Sequence, residues 1–331
     1  MGPWGGNDAM DSRERVRRAF RRELPDRPAF NFWMDRDMLA EYERELGPEF
    51  RVTHFGADVI EVFPDVAWWK GLERQARAVS GTVWQTTPLV GSLTEALHAR
   101  LPDVTATRIY EPITRMREKH PGAAIFLNML SPLDTVLPLR LYEGLFMDMH
   151  DSPAQLDFLL SKVAESVGEL CERVCQMDID ALYLMGDVAM KSGPMISRAH
   201  LDRFCFRPMT ACIEAAKRHG KPVLYHTDGA VMDILDMLVD YGIDGINPLQ
   251  PHLNDLRLFG DRWAEKLVLY GGLDNSYIIP DDTPQDVIDH VNAVFRDVGG
   301  HHSLIFSTHD IPNYTPRKNI EAMVEAIKSC R

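Results

Sequence analysis

The chain has 331 residues, 45% of them hydrophobic and 26% charged, which is ample for a large core and ordinary for a globular enzyme. Its formal net charge of -13 argues against nucleic acid as a partner. No apolar run reaches the roughly 18–20 residues of a membrane-spanning helix, so no membrane role is expected either. Residues 1–12 read as a disordered extension without the apolar core of a secretory signal, and residues 13–331 as one domain. The basic cluster from Arg13 to Arg22 reads as a solvated helix face. The five cysteines (171, 175, 205, 212 and 330) form no CxxC pair. They read as buried small hydrophobes in a reducing compartment, so a cytoplasmic location is expected and a cysteine-only zinc site is not.

From Ala29 onward, short apolar runs alternate with helical patterns. The runs cover residues 29–33, 58–63, 124–129, 181–185, 222–226, 245–249, 267–271 and 303–307. Most are apolar on successive positions, as expected of parallel strands covered on both faces. The clearest helix lies at 153–177, where Leu156, Leu159, Val163, Val167, Leu170 and Val174 recur at spacings of three and four. Further helices are expected at 198–218, 231–241, 284–298 and 315–328. Repeated strand–helix order of about eight units predicts the α/β class and a single (β/α)8 TIM barrel. Residues 78–87 (AVSGTVWQTT) break the pattern, because apolar and polar residues alternate around Ser-Gly, and they predict a β-hairpin inserted after strand 2. An open, doubly wound sheet is the alternative, but no GxGxxG follows the first strand.

In such a barrel the active site lies at the loops that follow the strands. Strand 1 is followed by Trp33, Asp35 and Arg36, strand 2 by Asp65, and strand 3 carries Asn128. Strand 4 ends in Gly186-Asp187, strand 5 in His226-Thr227-Asp228-Gly229, strand 6 in Asn247 and Gln250, strand 7 in Asp274-Asn275, and strand 8 in His309-Asp310. His226 and Asp228, at i and i+2 of an extended segment, can converge on one ion or proton. Joined by His309, they form a donor set suited to zinc or another divalent metal with an open position. The bland alternatives are a rim hydrogen bond for His226 and a helix cap for Asp228. Asp187 and Asp65 are candidates for acid–base catalysis. Trp33, Arg36, Asn128, Tyr142, Gln250 and Asp310 are candidates for binding substrate. Trp33, Trp68, Trp69 and Trp84 would together form an apolar wall suited to an aromatic or macrocyclic ligand.

Six segments carry a resemblance: LYEGLFMDMHDSP (141–153), GDVAMKSGPMIS (186–197), YHTDGAVMDIL (225–235), GIDGINPLQP (242–251), YGGLDNS (270–276) and THDIPNYTPRKNIEAMVEAI (308–327). In order and spacing they resemble the uroporphyrinogen decarboxylase superfamily from about Arg13 to Ile327. That resemblance implies the barrel fold and one of two chemistries. One branch decarboxylates uroporphyrinogen without a cofactor and uses an arginine-rich loop near the N-terminus. Here that stretch reads MDRDMLAEY, leaving Arg36 between Asp35 and Asp37, although Asp65, Tyr142 and His309 match that branch's aspartate, tyrosine and histidine. The other branch moves methyl groups to or from a corrinoid (cobalamin-type) protein with zinc, at a site that typically reads His-x-Cys with a second Cys near strand 8. Here His226, Asp228 and His309 stand in those places, and such harder donors favour a more Lewis-acidic metal. The resemblance therefore implies a methyltransferase near the O-demethylases. It would act between a small O-methyl compound, aromatic ones included, and a corrinoid carried by a separate protein; cofactor-independent decarboxylation is the alternative.

Overall fold

The computed structural model describes residues 10–72, 76–79, 82–299 and 301–331. The chain folds as a (β/α)8 barrel. Its eight parallel strands are β1 (Ala29–Phe30), β2 (Val59–Val62), β3 (Ala124–Leu130), β4 (Ala181–Met185), β5 (Val223–His226), β6 (Gly245–Asn247), β7 (Val268–Gly272) and β8 (Leu304–Ser307). They form one sheet in the order β1-β8-β7-β6-β5-β4-β3-β2, so from β2 to β8 every strand lies beside its neighbour in sequence, and β1 lies beside β8. Every expected run yields a strand, and most strands are shorter than the run because pairing stops where polar loop residues begin. The inserted hairpin pairs Ala76–Val79 with Thr82–Gln85, two residues ahead of the expected span. Its Ser-Gly tip lies outside the described residues.

Residues 1–9 of the expected N-terminal extension lie outside the described residues, and at its expected end Asp11 caps a helix over Ser12–Arg21, its side chain accepting from the Glu14 N–H. No helix among the described residues is long and apolar enough to cross a membrane.

Two compact units divide the chain. One comprises the chain up to Ile60 with 120–125 and Ile246–Arg331; the other comprises Glu61–Lys119 and Phe126–Gly245. In the first, β1 and β7 flank β8, with Ala29 opposite Ile305 and Tyr270 opposite Ile305 from the other side. The Asp58 N–H donates to the Phe30 carbonyl, and the Ala124 N–H donates to that of Asp58, so β1, β2 and β3 are laced together at their starts. Asp58 itself is fully buried and held by Arg15, Arg27 and Ser12.

In the second unit β4 lies between β3 and β5, with Asn128 opposite Tyr183 and Met185 opposite His226. Helices Pro153–Cys175 and Arg207–Arg218 cover these strands, and Gly168 lets Ala211 approach closely. The helix over Pro132–Asp151 is broken at Leu141, whose φ of 56° is left-handed. Tyr142 therefore starts a helical segment of its own.

Candidate functional site

The polar groups of the second unit gather at the ends of β3, β4 and β5. β5 delivers His226 and then Asp228, two residues on. His226 is buried, with its Nδ1 hydrogen-bonded to the Tyr183 hydroxyl at 3.1 Å and its Nε2 3.7 Å from Asp187 Oδ1. Tyr183 also meets the imidazole edge-on, with ring centroids 6.1 Å apart. This partner fixes the ring and leaves Nε2 as the nitrogen that faces the carboxylate. Between the two, Thr227 is buried and its hydroxyl accepts from the Val188 N–H, which pins the β5 end to the loop after β4.

Asp187 is held from several sides. Its carboxylate accepts from the Asp228 N–H at 3.1 Å, and its carbonyl accepts from the Tyr142 hydroxyl, also at 3.1 Å. Its own N–H donates to Asp134. Asp228 does not cap a helix: the next helical turn opens at Met232, with Val231 at its cap and no side-chain bond.

Asp134 was not foreseen. Ser131, Pro132 and Asp134 read as an ordinary helix start, and they do form one: the Ser131 hydroxyl accepts from the Asp134 N–H and donates to its carboxylate at 2.6 Å. Yet burial, reinforced by the charge of Asp187, pushes the Asp134 carboxyl up to about 7, against the opposing effect of the Ser131 bond. The Tyr225 hydroxyl donates to the Gly186 carbonyl at 2.7 Å, and burial raises its pKa too. Tyr183 and Tyr225 also escaped notice, since in sequence they are aromatic members of apolar strands.

Gly186 makes this crowding possible. A Cβ there would stand 2.8 Å from both Asp134 Oδ2 and the Tyr225 hydroxyl, and 3.2 Å from Ser131 Oγ. Gly186→Ala is therefore expected to cost about 1–3 kcal/mol by overpacking. A lower urea midpoint at unchanged slope would register it, and an unshifted midpoint would contradict this packing.

His226 and Asp228 each offer a ligand atom at the end of β5, in the second unit, and His309, after β8, offers one in the first. His226 is buried, the other two partly so. Imidazole and carboxylate are donor types that zinc takes, and two residues apart at a strand end His226 and Asp228 can serve one ion.

The other residues picked out from sequence have varied settings. Asn128 is buried and donates to Glu61 at 2.7 Å, while its own side-chain oxygen has no partner among the described residues. Trp33 is half-buried beneath the Arg51 guanidinium, 4.8 Å from its ring, and its N–H donates to the Thr308 hydroxyl. Arg36 is exposed at the start of a helix that Asp35 caps. Asp65 is exposed and ion-paired with Arg108 at 2.9 Å. Gln250 is half-buried, and Asp310 is exposed with its carbonyl accepting from Asn275.

Residues 83–330 match the family model described as uroporphyrinogen decarboxylase (URO-D). The chain belongs to the URO-D family. Among solved structures, this URO-D family member is similar to a methyltransferase from Methanosarcina mazei, with a TM-score of 0.77 and 15% identity over 96% of this chain and 98% of that one. It is also similar to a B12-independent methionine synthase from a Shewanella species, with a TM-score of 0.54 and 11% identity over 91% of each chain. At such identities these likenesses speak for the fold. No curated protein matches the sequence.

Proposed function

We propose that this URO-D family protein is a methyltransferase that moves a methyl group between a small O-methyl compound and a corrinoid carried by a separate protein. The observation that carries this reading is the pair His226 and Asp228 at the end of β5, which with His309 make a nitrogen and oxygen donor set in place of thiolates. The likeness to the Methanosarcina mazei methyltransferase over 96% of the chain supports it. These three residues would hold a divalent metal, zinc in the first instance. When bound, that ion would supply Lewis acidity towards the heteroatom that carries the methyl group.

The chain's own residues would do the rest. Tyr183 keeps His226 Nε2 facing the site, and Tyr142 and Asp134 hold the loop that bears Asp187. When the methyl group leaves, its former oxygen needs a proton. Asp134, with a pKa near neutrality, is the acid that would provide one, with the Asp187 carboxylate beside it. Asp65, committed to Arg108 at the surface, has no part in this scheme.

The test combines two measurements. Purified protein is analysed for metal, then mixed with a panel of methoxylated compounds and a reduced corrinoid protein, whose absorbance reports methylation. Near-stoichiometric zinc and methylation that depends on the chain support the reading. Carbon dioxide release from a carboxylated substrate, with no need for corrinoid protein, would replace it with decarboxylation.

A further inference from the structure

The loops after β6 and β7 bring together a second set of polar groups, all within the first unit. His252 lies in the stretch PLQPHL at 248–253. That stretch is firmly seated. The Gly272 N–H donates to the Pro248 carbonyl at 2.9 Å, and a Cβ on Gly271 would stand 1.9 Å from the same oxygen. Leu249 is buried with a left-handed φ of 48°, a conformation that costs a non-glycine residue energy and clusters at functional sites. The Leu253 and Asn254 N–H groups both donate to the Gln250 carbonyl, closing a turn around His252.

Asp274, two residues past β7, is buried and fixed from several sides. Its Oδ1 accepts from the Ser276 and Tyr277 N–H groups at 2.8 and 3.0 Å, and its own N–H donates to His290 Nε2 at 3.0 Å. Burial holds the His290 imidazole below the usual histidine range, which keeps that Nε2 free to accept. The second Asp274 oxygen, Oδ2, stands 3.5 Å from His252 Nδ1. This nitrogen is buried and has no hydrogen-bond partner among the described residues. The Tyr277 ring meets the His252 ring edge-on, with centroids 5.2 Å apart. The His252 side chain still keeps 16% of its surface, so its exposed part lies away from Nδ1.

A carboxylate only accepts, so the nitrogen that faces it carries the proton of a neutral imidazole, and Nε2 keeps its lone pair. An aspartate orients a catalytic histidine in this way and then balances the imidazolium charge. Such contacts are often long before substrate is held, and tighten with it. We propose that His252 and Asp274 form a subsite for a free hydroxyl on the bound small molecule. His252 Nε2 accepts the hydroxyl's hydrogen bond and, where the hydroxyl is acidic, takes its proton. The oxygen then keeps the bonding electron pair, and Asp274 balances the charge on the ring. The dyad stands without the methyl-transfer reading; only the choice of substrates that test it rests on that reading.

Nitrogen NMR on isotope-labelled histidine reads the tautomer, with His252→Gln to assign the signal. Neutral His252 is expected to carry its proton on Nδ1. In Asp274→Asn the two backbone N–H groups hold the amide oxygen, so the amide nitrogen faces Nδ1 and donates to it. The proton should then move to Nε2. A wild-type proton on Nε2, or the same tautomer in both proteins, would overturn the subsite. Should Asp274→Asn not fold, the wild-type tautomer and His252→Gln carry the test. Turnover supplies the second readout, with two methoxylated donors that differ in whether a free hydroxyl is present or replaced by hydrogen. His252→Gln should lower the preference in kcat/KM for the hydroxyl-bearing donor by about 10- to 100-fold, the worth of one charge-assisted hydrogen bond. An unchanged preference would overturn the subsite and leave the methyltransferase. No methyl transfer from either donor, with the Nδ1 tautomer present and reversed in Asp274→Asn, would sink the methyl-transfer reading and support the dyad.

Discussion

His226→Ala is expected to abolish stable metal binding and, with it, methyl transfer. His226 is the buried member of the three-residue donor group, and its ring is the one whose orientation is set by a defined partner. Loss of a ligand should cost more than the roughly 10- to 100-fold in metal affinity that follows loss of an outer-shell partner. Tyr183→Phe supplies that milder comparison. It keeps the edge-on ring contact and deletes only the hydroxyl on Nδ1, so about 10- to 100-fold weaker binding is expected. Competition with a chromophoric zinc chelator reads both variants on one scale. Wild-type affinity in His226→Ala would remove the metal from this site, and an order reversed between the two variants would remove Tyr183 from its support.

How far the site was legible follows from where each residue's chemistry is written. Parallel strands in a barrel carry their reactive groups at their C-terminal ends, and HTD at 226–228 and GD at 186–187 advertise themselves because polar residues there interrupt apolar runs. The strands were visible for the same reason, including β4 with its expected bounds at Ala181–Met185. Asp134 was hidden because its sequence signal is accounted for by the helix it starts; only three-dimensional packing against Asp187 changes its acidity. Tyr183 and Tyr225 were hidden because an aromatic residue inside a strand is usually core, and a hydroxyl aimed at the barrel's end leaves no trace in periodicity. Asp65, a carboxylate after strand 2 at a family position, pairs with Arg108 at the surface, a partner 43 residues on that its place in the sequence does not foretell. The capping alternative for Asp228 failed because Gly229 does not open a helix; it has a φ of 97° and lies so close to Met190 and Ala189 that a side chain there would collide with their backbone.

Asp134 should make the protein's stability depend on pH in a direction unusual for a carboxylate. An unfolded aspartate ionises near pH 3.9, whereas in the fold this carboxyl titrates at about 7. Between those values the folded chain holds a proton that the unfolded chain has released, so stability falls as pH rises through the window. The contribution is fully present below about pH 4 and lost above about pH 7, a difference of up to ~4 kcal/mol. Asp134→Asn cannot ionise, so its stability relative to wild type should improve steadily from pH 4 to 7 and then level off. Urea unfolding of both proteins across pH 4–8.5 measures this without reference to activity. A constant difference between them would mean that Asp134 ionises normally in the fold. Activity should fall with rising pH as well. If the protonated carboxyl delivers the proton, the wild-type rate should decline above pH 7, and Asp134→Asn should lose about 10²- to 10⁴-fold in kcat. A variant that is more stable at pH 8 yet far slower at pH 6.5 would identify Asp134 as a group kept protonated for its chemistry, at the expense of the fold.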